Sequence, residues 1–311
     1  MDEELQNHIN QLLKIHNEND EIRSEGESYI ENLRANNCFE IFRLSCSLIL
    51  LEQEIPSIVI RMSFILINQN YNFLKNNWDQ LSDEQKNVMR TAAMKGLFFP
   101  DQVIRNLSSL SFCLIVSCGV DTFKNDLFEQ ISIPICNADY NPCCTVGCFM
   151  ALKELVIHNI IQNNFPHYFE MVQTITNSYE QIMKDPKVFD LPDFTEFLNC
   201  YSIILPFLQE FYYEDENIEL LLNPILEVFH IEEVVVHSAL YDLLFSFFHN
   251  FYEKINESVM ELIFEITMNS LSLLDRPEFI DPAINFWMNV AKFETKIVKD
   301  SKNQKFTRRK C

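Results

Sequence analysis

Four prolines are spaced almost evenly along the chain. Pro56, Pro100, Pro142 and Pro186 are separated by 44, 42 and 44 residues. The segment between successive prolines shows the apolar periodicity of two amphipathic helices joined by a short turn. One helical hairpin of this size leaves its apolar face open, so neighbouring hairpins must stack to share a core. The spacing therefore predicts an all-α fold, a right-handed α-solenoid (superhelix) of about seven helical hairpins.

Local signals predict where individual helices begin. Asn19 precedes the second helix as an N-cap, and Ser82-Asp83-Glu84-Gln85 has the spacing of a capping box. Pro56 is expected to open a helix that ends near Leu74, because proline is tolerated in a first turn. The last helix of the seventh hairpin is expected over residues 282–293.

Charge is distributed unevenly along the chain. The net charge is −21, but residues 291–311 carry eight Lys/Arg against two acidic residues, which leaves −27 for residues 1–290. Such an acidic surface disfavours nucleic acid and attracts basic cargo or adaptor proteins. We expect a solenoid over residues 1–296 and a basic C-terminal tail over 297–311. The tail is open to three interpretations: a disordered end, a nuclear-localisation-like patch, or an amphipathic cover for the last hairpin.

Composition disfavours several functional classes. The chain has four glycines and no glycine-rich run, so neither a dinucleotide fingerprint nor a phosphate-binding loop is present. No local Ser/His/Asp or Cys/His signature indicates catalysis. We therefore expect a protein that is not an enzyme and needs no cofactor. The N-terminus is acidic, and no uncharged apolar run approaches the ~18 residues of a membrane span, which predicts a soluble intracellular protein.

A group of cysteines raises a metal hypothesis. Cys136, Cys143, Cys144 and Cys148 lie close together in sequence, and His158 follows. Their spacing is not that of paired Cys-x-x-Cys ligands, and Cys144 and Cys148 share one helix face. Buried thiols are the favoured interpretation. A metal-dependent enzyme built on these residues is kept as a remote alternative.

Three predicted second helices of hairpins begin with a similar signature. The segments are Asp20-Glu21-Ile22-Arg23, Ile60-Arg61 and Asp101-Gln102-Val103-Ile104-Arg105. They resemble the Asp…Val/Ile-Arg core of HEAT repeats, in which acidic and basic side chains form ladders between stacked repeats. Gly147 and Val236 stand near the place of the arginine in repeats four and six, so no ladder is expected there.

Longer segments resemble the karyopherin-β (importin-β) family. They include Val59-Ile60-Arg61 with Asn68, Asn77-Trp78 before repeat three, and Ile284-Asn285-Phe286-Trp287-Met288-Asn289-Val290, which resembles a Glu-Phe-Trp-Ser-Asn-Val stretch of that family. The matching segments span residues 3–295. The resemblance implies a nuclear transport receptor of the cytoplasm, nucleus and nuclear pore. Family members carry about twice as many repeats, so complete cargo carriage is not implied.

The resemblance also implies two partner sites. The early second helices would bind Ran GTPase in its GTP form, and the candidate residues are Asp20, Glu21, Glu25, Arg61, Asn68 and Asp101. Phe-Gly nucleoporin segments would insert between the first helices of repeats five and six, with the candidates Ile175, Thr176, Tyr179 and Leu220. Solvated helix faces and ordinary inter-repeat core are the competing explanations. The alternative function is a HEAT scaffold or regulatory subunit outside nuclear transport.

Overall fold

The structure is a computed structural model that describes residues 2–119, 129–135, 141–162, 167–214, 218–271 and 276–308. Within these segments all regular secondary structure is helical, and two compact units are formed, Met1–His167 and Tyr168–Cys311. The all-α class predicted from the sequence is therefore confirmed.

The first unit is built from stacked helical hairpins. Its described helices are α1 (Glu3–Ile15), α2 (Asp20–Asn36), α3 (Cys38–Leu50), α4 (Ser57–Gln69), α5 (Tyr71–Asn77), α6 (Asp83–Leu97), α7 (Gln102–Cys118), α8 (129–135) and α9 (Pro142–Ile157). Helices α1, α3 and α6 pack side by side as first helices of successive hairpins. Helices α4, α7 and α9 form the row of second helices behind them.

The second unit repeats this arrangement. Its helices are α10 (Tyr168–Lys184), α11 (Leu191–Glu214), α12 (Glu219–Val228), α13 (Val234–Phe251), α14 (Glu257–Leu271) and α15 (Pro277–Arg308). First helices α10, α12 and α14 pack in one row, and second helices α11, α13 and α15 pack in the other. Each row buries the apolar face that an isolated hairpin would leave in water.

Polar side chains join neighbouring hairpins at the spacing of the repeat. The Tyr179 hydroxyl donates to the Leu221 carbonyl oxygen at 2.9 Å, 42 residues away. The Ser246 hydroxyl donates to the Ser202 carbonyl oxygen at 2.6 Å, 44 residues away. Lys95 donates to the carbonyl oxygen of Leu51, also 44 residues away. The period predicted from the prolines is thus the period of these contacts.

Most of the predicted helix starts are confirmed. Asn19 caps α2 by accepting from the backbone amides of Glu21 and Ile22, and the capping box of Ser82 and Gln85 is formed at α6. Pro56 is the residue before α4, and Pro142 is the first residue of α9. Pro186 begins a short 3-10 turn, Pro186–Val188.

Two helix boundaries differ from prediction. The helix after Pro56 ends at Gln69 rather than near Leu74, because the Asn70 side chain donates to the Leu66 carbonyl oxygen at 2.7 Å and α5 begins anew at Tyr71. The last helix spans Pro277–Arg308 rather than 282–293. It therefore continues through the predicted boundary between solenoid and tail. The sequence also predicts a first helix of repeat four over residues 122–131, and this range lies partly outside the described residues.

Gly147 explains why repeat four lacks the HEAT arginine. A Cβ atom at this position would stand 1.9 Å from the carbonyl oxygen of Leu97. The α9 backbone therefore lies directly against the end of α6, and only glycine permits this approach. A long basic side chain has no room at that position.

Candidate functional site

The N-terminal half of α2 presents an acidic surface. Asp20, Glu21 and Glu25 are exposed and line a shallow groove between α1 and α2, together with Lys14 on α1. The Lys14 ammonium pairs with Glu25 at 2.7 Å, and Arg23 pairs with Asp20 within α2. Three carboxylates along this groove give it a negative potential that attracts a basic partner surface.

The groove is shallow because α1 and α2 cross closely. A Cβ atom at Gly26 would approach the Gln11 carbonyl oxygen to 2.7 Å, which places α2 directly on the α1 backbone. The side chains before and after Gly26 on the open side of α2 therefore stay in solvent. Asp20, Glu21 and Glu25 are held on a rigid helix rather than on a loop.

Three other Ran candidates lie together between α4 and α7. Arg61 forms an ion pair with Asp101, with an N–O distance of 2.5 Å. Asn68 donates to the Leu107 carbonyl oxygen at 3.1 Å and accepts from the Ser111 hydroxyl at 2.6 Å. Their polar groups thus hold neighbouring repeats together.

The Asp101 carboxylate also contacts backbone amides at the start of α7. Its carboxylate caps α7 by accepting from the amides of Val103 and Ile104 at 2.9 and 3.2 Å. Partial burial alone would raise its pKa, but the Arg61 guanidinium and these amides together hold the pKa of Asp101 below its usual value. The carboxylate is charged at neutral pH and locked to α7.

The Arg61–Asp101 pair is a rung of the predicted HEAT ladder, because it joins a basic and an acidic side chain of neighbouring repeats. The other two signature arginines contact residues close to them in sequence. Arg23 pairs with Asp20 and Glu27 of the same helix. Arg105 is 1% exposed and donates to the carbonyl oxygens of Phe99 and Pro100 at 2.9 Å each.

The nucleoporin candidates fall into two groups in the second unit. Ile175 and Tyr179 on α10 are fully buried, and Thr176 donates to the Val172 carbonyl oxygen. The Tyr179 ring stacks on Tyr201 with centroids 4.2 Å apart. Leu220 on α12 is 49% exposed. A phenylalanine ring would reach the α10 side chains only if α10 and α12 separated, whereas Leu220 already faces solvent.

An open apolar slot between α3 and α6 escaped the sequence analysis. It has a volume of about 260 Å³ and apolar walls formed by Phe39, Phe42, Cys46, Leu81, Val88 and Met89. Arg43 and Glu84 stand at its polar margin. The slot lies between first helices, as the nucleoporin hypothesis requires, but in repeats two and three. The slot could have been predicted from the apolar residues on the facing sides of consecutive first helices.

The cysteine cluster shows no metal geometry in the part of the chain that the structure describes. No three His, Cys, Asp or Glu side chains gather there in a way that would hold an ion. Cys148 is fully buried, and this burial raises the pKa of its thiol. Burial also raises the pKa of Cys144. Cys136 lies outside the described residues.

Among the described helices, none is both long and apolar enough to cross a membrane.

Comparison with known proteins shows the fold. No family model and no curated protein matches the sequence. Solved structures match over nearly the whole chain. A crystal structure of importin-β has a TM-score of 0.77 at 12% identity, over 94% of this chain and 34% of that one. A Kap95p structure concerned with RanGDP gives 0.75 at 14% identity, over 95% and 34%. A Kap95:Nup1 complex gives 0.74 at 14%, over 95% and 35%.

These likenesses confirm the HEAT-type α-solenoid and the resemblance to karyopherin-β proteins at the level of the fold. Kap95p is the yeast importin-β. This chain spans about one third of the length of the matched structures.

Proposed function

We propose that this chain is a nuclear-transport-receptor-like protein that binds the GTP form of a Ran-type GTPase through α2 and takes Phe-Gly nucleoporin segments between first helices. It acts in nucleocytoplasmic import without catalysis, in the cytoplasm, the nucleus and at the nuclear pore. The likeness to importin-β over 94% of the chain carries the proposal. Among the matched structures, Kap95p is described as binding RanGDP, and another Kap95 structure is a complex with Nup1.

The acidic groove on α2 supports the GTPase part of the proposal. Asp20 and Glu21 are exposed and lie in the first turn of the helix, where a basic surface can reach them. The −27 charge of residues 1–290 adds a long-range attraction that falls with salt. Arg61, Asn68 and Asp101 contribute by holding α4 and α7 in register.

The contacts that Arg61, Asn68 and Asp101 make between repeats also favour a second candidate function. Half of the six candidate residues for the GTPase serve to pack repeats, which any HEAT solenoid requires. A HEAT scaffold or regulatory subunit outside transport would show the same contacts. Basic proteins would then be its partners, without discrimination between nucleotide states of a GTPase.

Charge reversal on α2 separates the two functions. The double variant Asp20→Lys/Glu21→Lys should weaken binding of GTP-loaded Ran at least tenfold, because attraction becomes repulsion at the contact. The matched control is Glu52→Lys/Glu54→Lys, which makes the same charge change at two exposed residues between α3 and α4. Equal losses in both variants would mean that only the overall field matters, and the α2 site would be wrong. Circular dichroism checks that both variants keep the helix content of the wild type.

A further inference from the structure

The slot between α3 and α6 has a buried apolar floor and an open mouth. The floor is formed by Phe42, Cys46, Leu81 and Met89, which are 0%, 1%, 7% and 5% exposed. Val88 stands at the mouth and is 38% exposed. A cavity of about 260 Å³ therefore connects solvent with side chains of the core.

The slot lies within the row of first helices. Helix α1 packs beside α3, and α8 borders α6 along another groove of the same row. The Phe39 ring in the wall of the slot contacts Phe73 of α5 edge to face, with centroids 4.9 Å apart. The opening is therefore a property of the contact between α3 and α6, and neighbouring helices hold its walls in place.

The size and the walls of the slot suit one large side chain. Its volume of about 260 Å³ is below the roughly 300–1,000 Å³ of pockets that take drug-sized ligands. Two phenyl rings and two sulfur-containing side chains line it, those of Phe39, Phe42, Cys46 and Met89. Aromatic rings make favourable contacts with other rings and with polarisable sulfur. An aromatic side chain is therefore the occupant that these walls fit best.

The margins of the slot carry more negative than positive charge. Arg43 stands on the α3 margin, but it is paired with both Glu40 and Glu4. Its guanidinium holds the pKa of Glu40 below the usual value, so this carboxylate is charged at neutral pH. Glu84 is exposed on the α6 margin, in the first turn of that helix. Among these four groups, three carboxylates face one guanidinium, and acidic groups stand on both sides of the slot.

We propose that the slot binds a peptide segment of a partner protein in which one aromatic residue lies between two basic residues. The ring enters the slot, and the two cations meet Glu84 on one margin and Glu40 on the other. In an extended peptide, side chains two positions apart point the same way, so Lys or Arg at positions −2 and +2 from the ring reaches both margins. A bare Phe-Gly segment lacks these cations, which sets this ligand apart from the one proposed for the α10–α12 junction.

Fluorescence anisotropy with the 311-residue chain at physiological salt tests the ligand. The probe is a labelled peptide with the core Lys-Ser-Phe-Ser-Lys, which has the ring and both cations but no Phe-Gly pair. Replacing its Phe by Ala should weaken binding at least tenfold, although the general attraction of an acidic chain for a cationic peptide remains. Replacing both Lys by Ser should weaken binding by a similar factor. Absence of binding to the probe, or unchanged binding of either substituted peptide, overturns the proposal.

Variants of the chain locate the contact. Val88→Asn makes the mouth polar without changing charge and should weaken the probe about fivefold. Its control is Val103→Asn on α7, at a position that is 47% exposed, which should bind like the wild type. Glu84→Lys should weaken the probe at least tenfold, whereas Glu31→Lys makes the same charge change at an exposed position of α2 and should have little effect. Losses in the controls as large as in the slot variants would refute the site.

Charge exchange tests the pairing across the margin. One of the two peptides with a single Lys→Glu exchange should bind the Glu84→Lys variant more tightly than the parent peptide does, because opposite charges meet again. The peptide that recovers binding also gives the direction of the segment in the slot. Failure of both exchanged peptides would contradict the contact with Glu84. Since α2 is the proposed GTPase site, these outcomes are independent of Ran binding.

Discussion

The guanidinium of Arg61 and the carboxylate of Asp101 form an ion pair with a 2.5 Å N–O distance between α4 and α7. Asp101 also caps α7, so one carboxylate both begins its own helix and ties that helix to the preceding hairpin. The side chains are 35% and 23% exposed. Solvent screening therefore keeps the contribution of the pair modest, while the cap adds an independent one.

Substitutions at position 101 should separate these two contributions. Asp101→Asn keeps a capping oxygen but loses the charge, and Asp101→Ala loses both. We expect Asp101→Asn and Arg61→Ala to lower the free energy of unfolding by less than about 1 kcal/mol. Asp101→Ala should cost about 1 kcal/mol more. Urea unfolding measures the differences, and equal costs for Asn and Ala would show that the cap contributes nothing.

Gly147→Ala should destabilise the first unit. In an ordinary helix this change is stabilising, but here the new methyl group would overlap the Leu97 carbonyl oxygen. We expect a loss of about 1–3 kcal/mol in the free energy of unfolding, because backbone must move to make room. Ser28→Ala, at an exposed position of α2, is the control and should be nearly neutral. A neutral Gly147→Ala variant would contradict the close approach of α9 to α6.

The sequence was sufficient to predict the hairpins and many of their starts, because prolines and caps act locally. Asn19, Ser82 and Pro142 stand where such signals predict a helix to begin. The break at Asn70 was missed because it depends on a side-chain hydrogen bond to Leu66. The break interrupts a helix without changing the apolar pattern of the sequence.

The candidate sites were less predictable for a different reason. A first helix packs against its own hairpin and against both neighbours, so apolar periodicity does not say which side chain stays open. Tyr179 and Leu220 are both apolar positions near the α10–α12 junction, yet one is buried and the other half exposed. Arg61 and Arg105 carry the same HEAT signature, yet Arg61 pairs with Asp101 of the next repeat, whereas Arg105 donates to the carbonyl oxygens of Phe99 and Pro100 just before its own helix.

Acid should weaken the first unit through His8. This residue of α1 is fully buried, with Nδ1 3.2 Å from the Tyr29 hydroxyl oxygen of α2. Burial lowers the pKa of His8 to about 4, while Glu40 and Arg43 of α3 act in opposite directions. The unfolded chain takes up this proton near pH 6.5, so stability falls as the pH drops from there toward 4, by up to about 3 kcal/mol.

The variant His8→Gln tests this assignment, because glutamine does not titrate. Its free energy of unfolding should vary less between pH 6.5 and pH 4 than that of the wild type. His16→Gln, at an exposed position just after α1, should keep the wild-type dependence. Parallel curves for the wild type and His8→Gln would assign the acid sensitivity to other groups.

Two surfaces are candidates for binding a Phe-Gly segment, the α10–α12 junction and the slot between α3 and α6. If a Phe-Gly segment binds at the α10–α12 junction, Leu220→Asp should weaken a Phe-Gly peptide roughly tenfold, since Leu220 supplies the exposed apolar contact. Val88→Asp, in the slot between α3 and α6, should then have little effect. Fluorescence anisotropy of a labelled peptide measures both. The reverse result would place the segment in the α3–α6 slot.

We propose that this solenoid distinguishes the GTP form of a Ran-type GTPase from its GDP form. The most direct measurement is calorimetric titration of the 311-residue chain with Ran loaded with GTP and, in parallel, with GDP at physiological salt. We expect binding at least tenfold tighter for the GTP form. Equal binding of the two forms, or none, would contradict it and leave a HEAT scaffold with other partners.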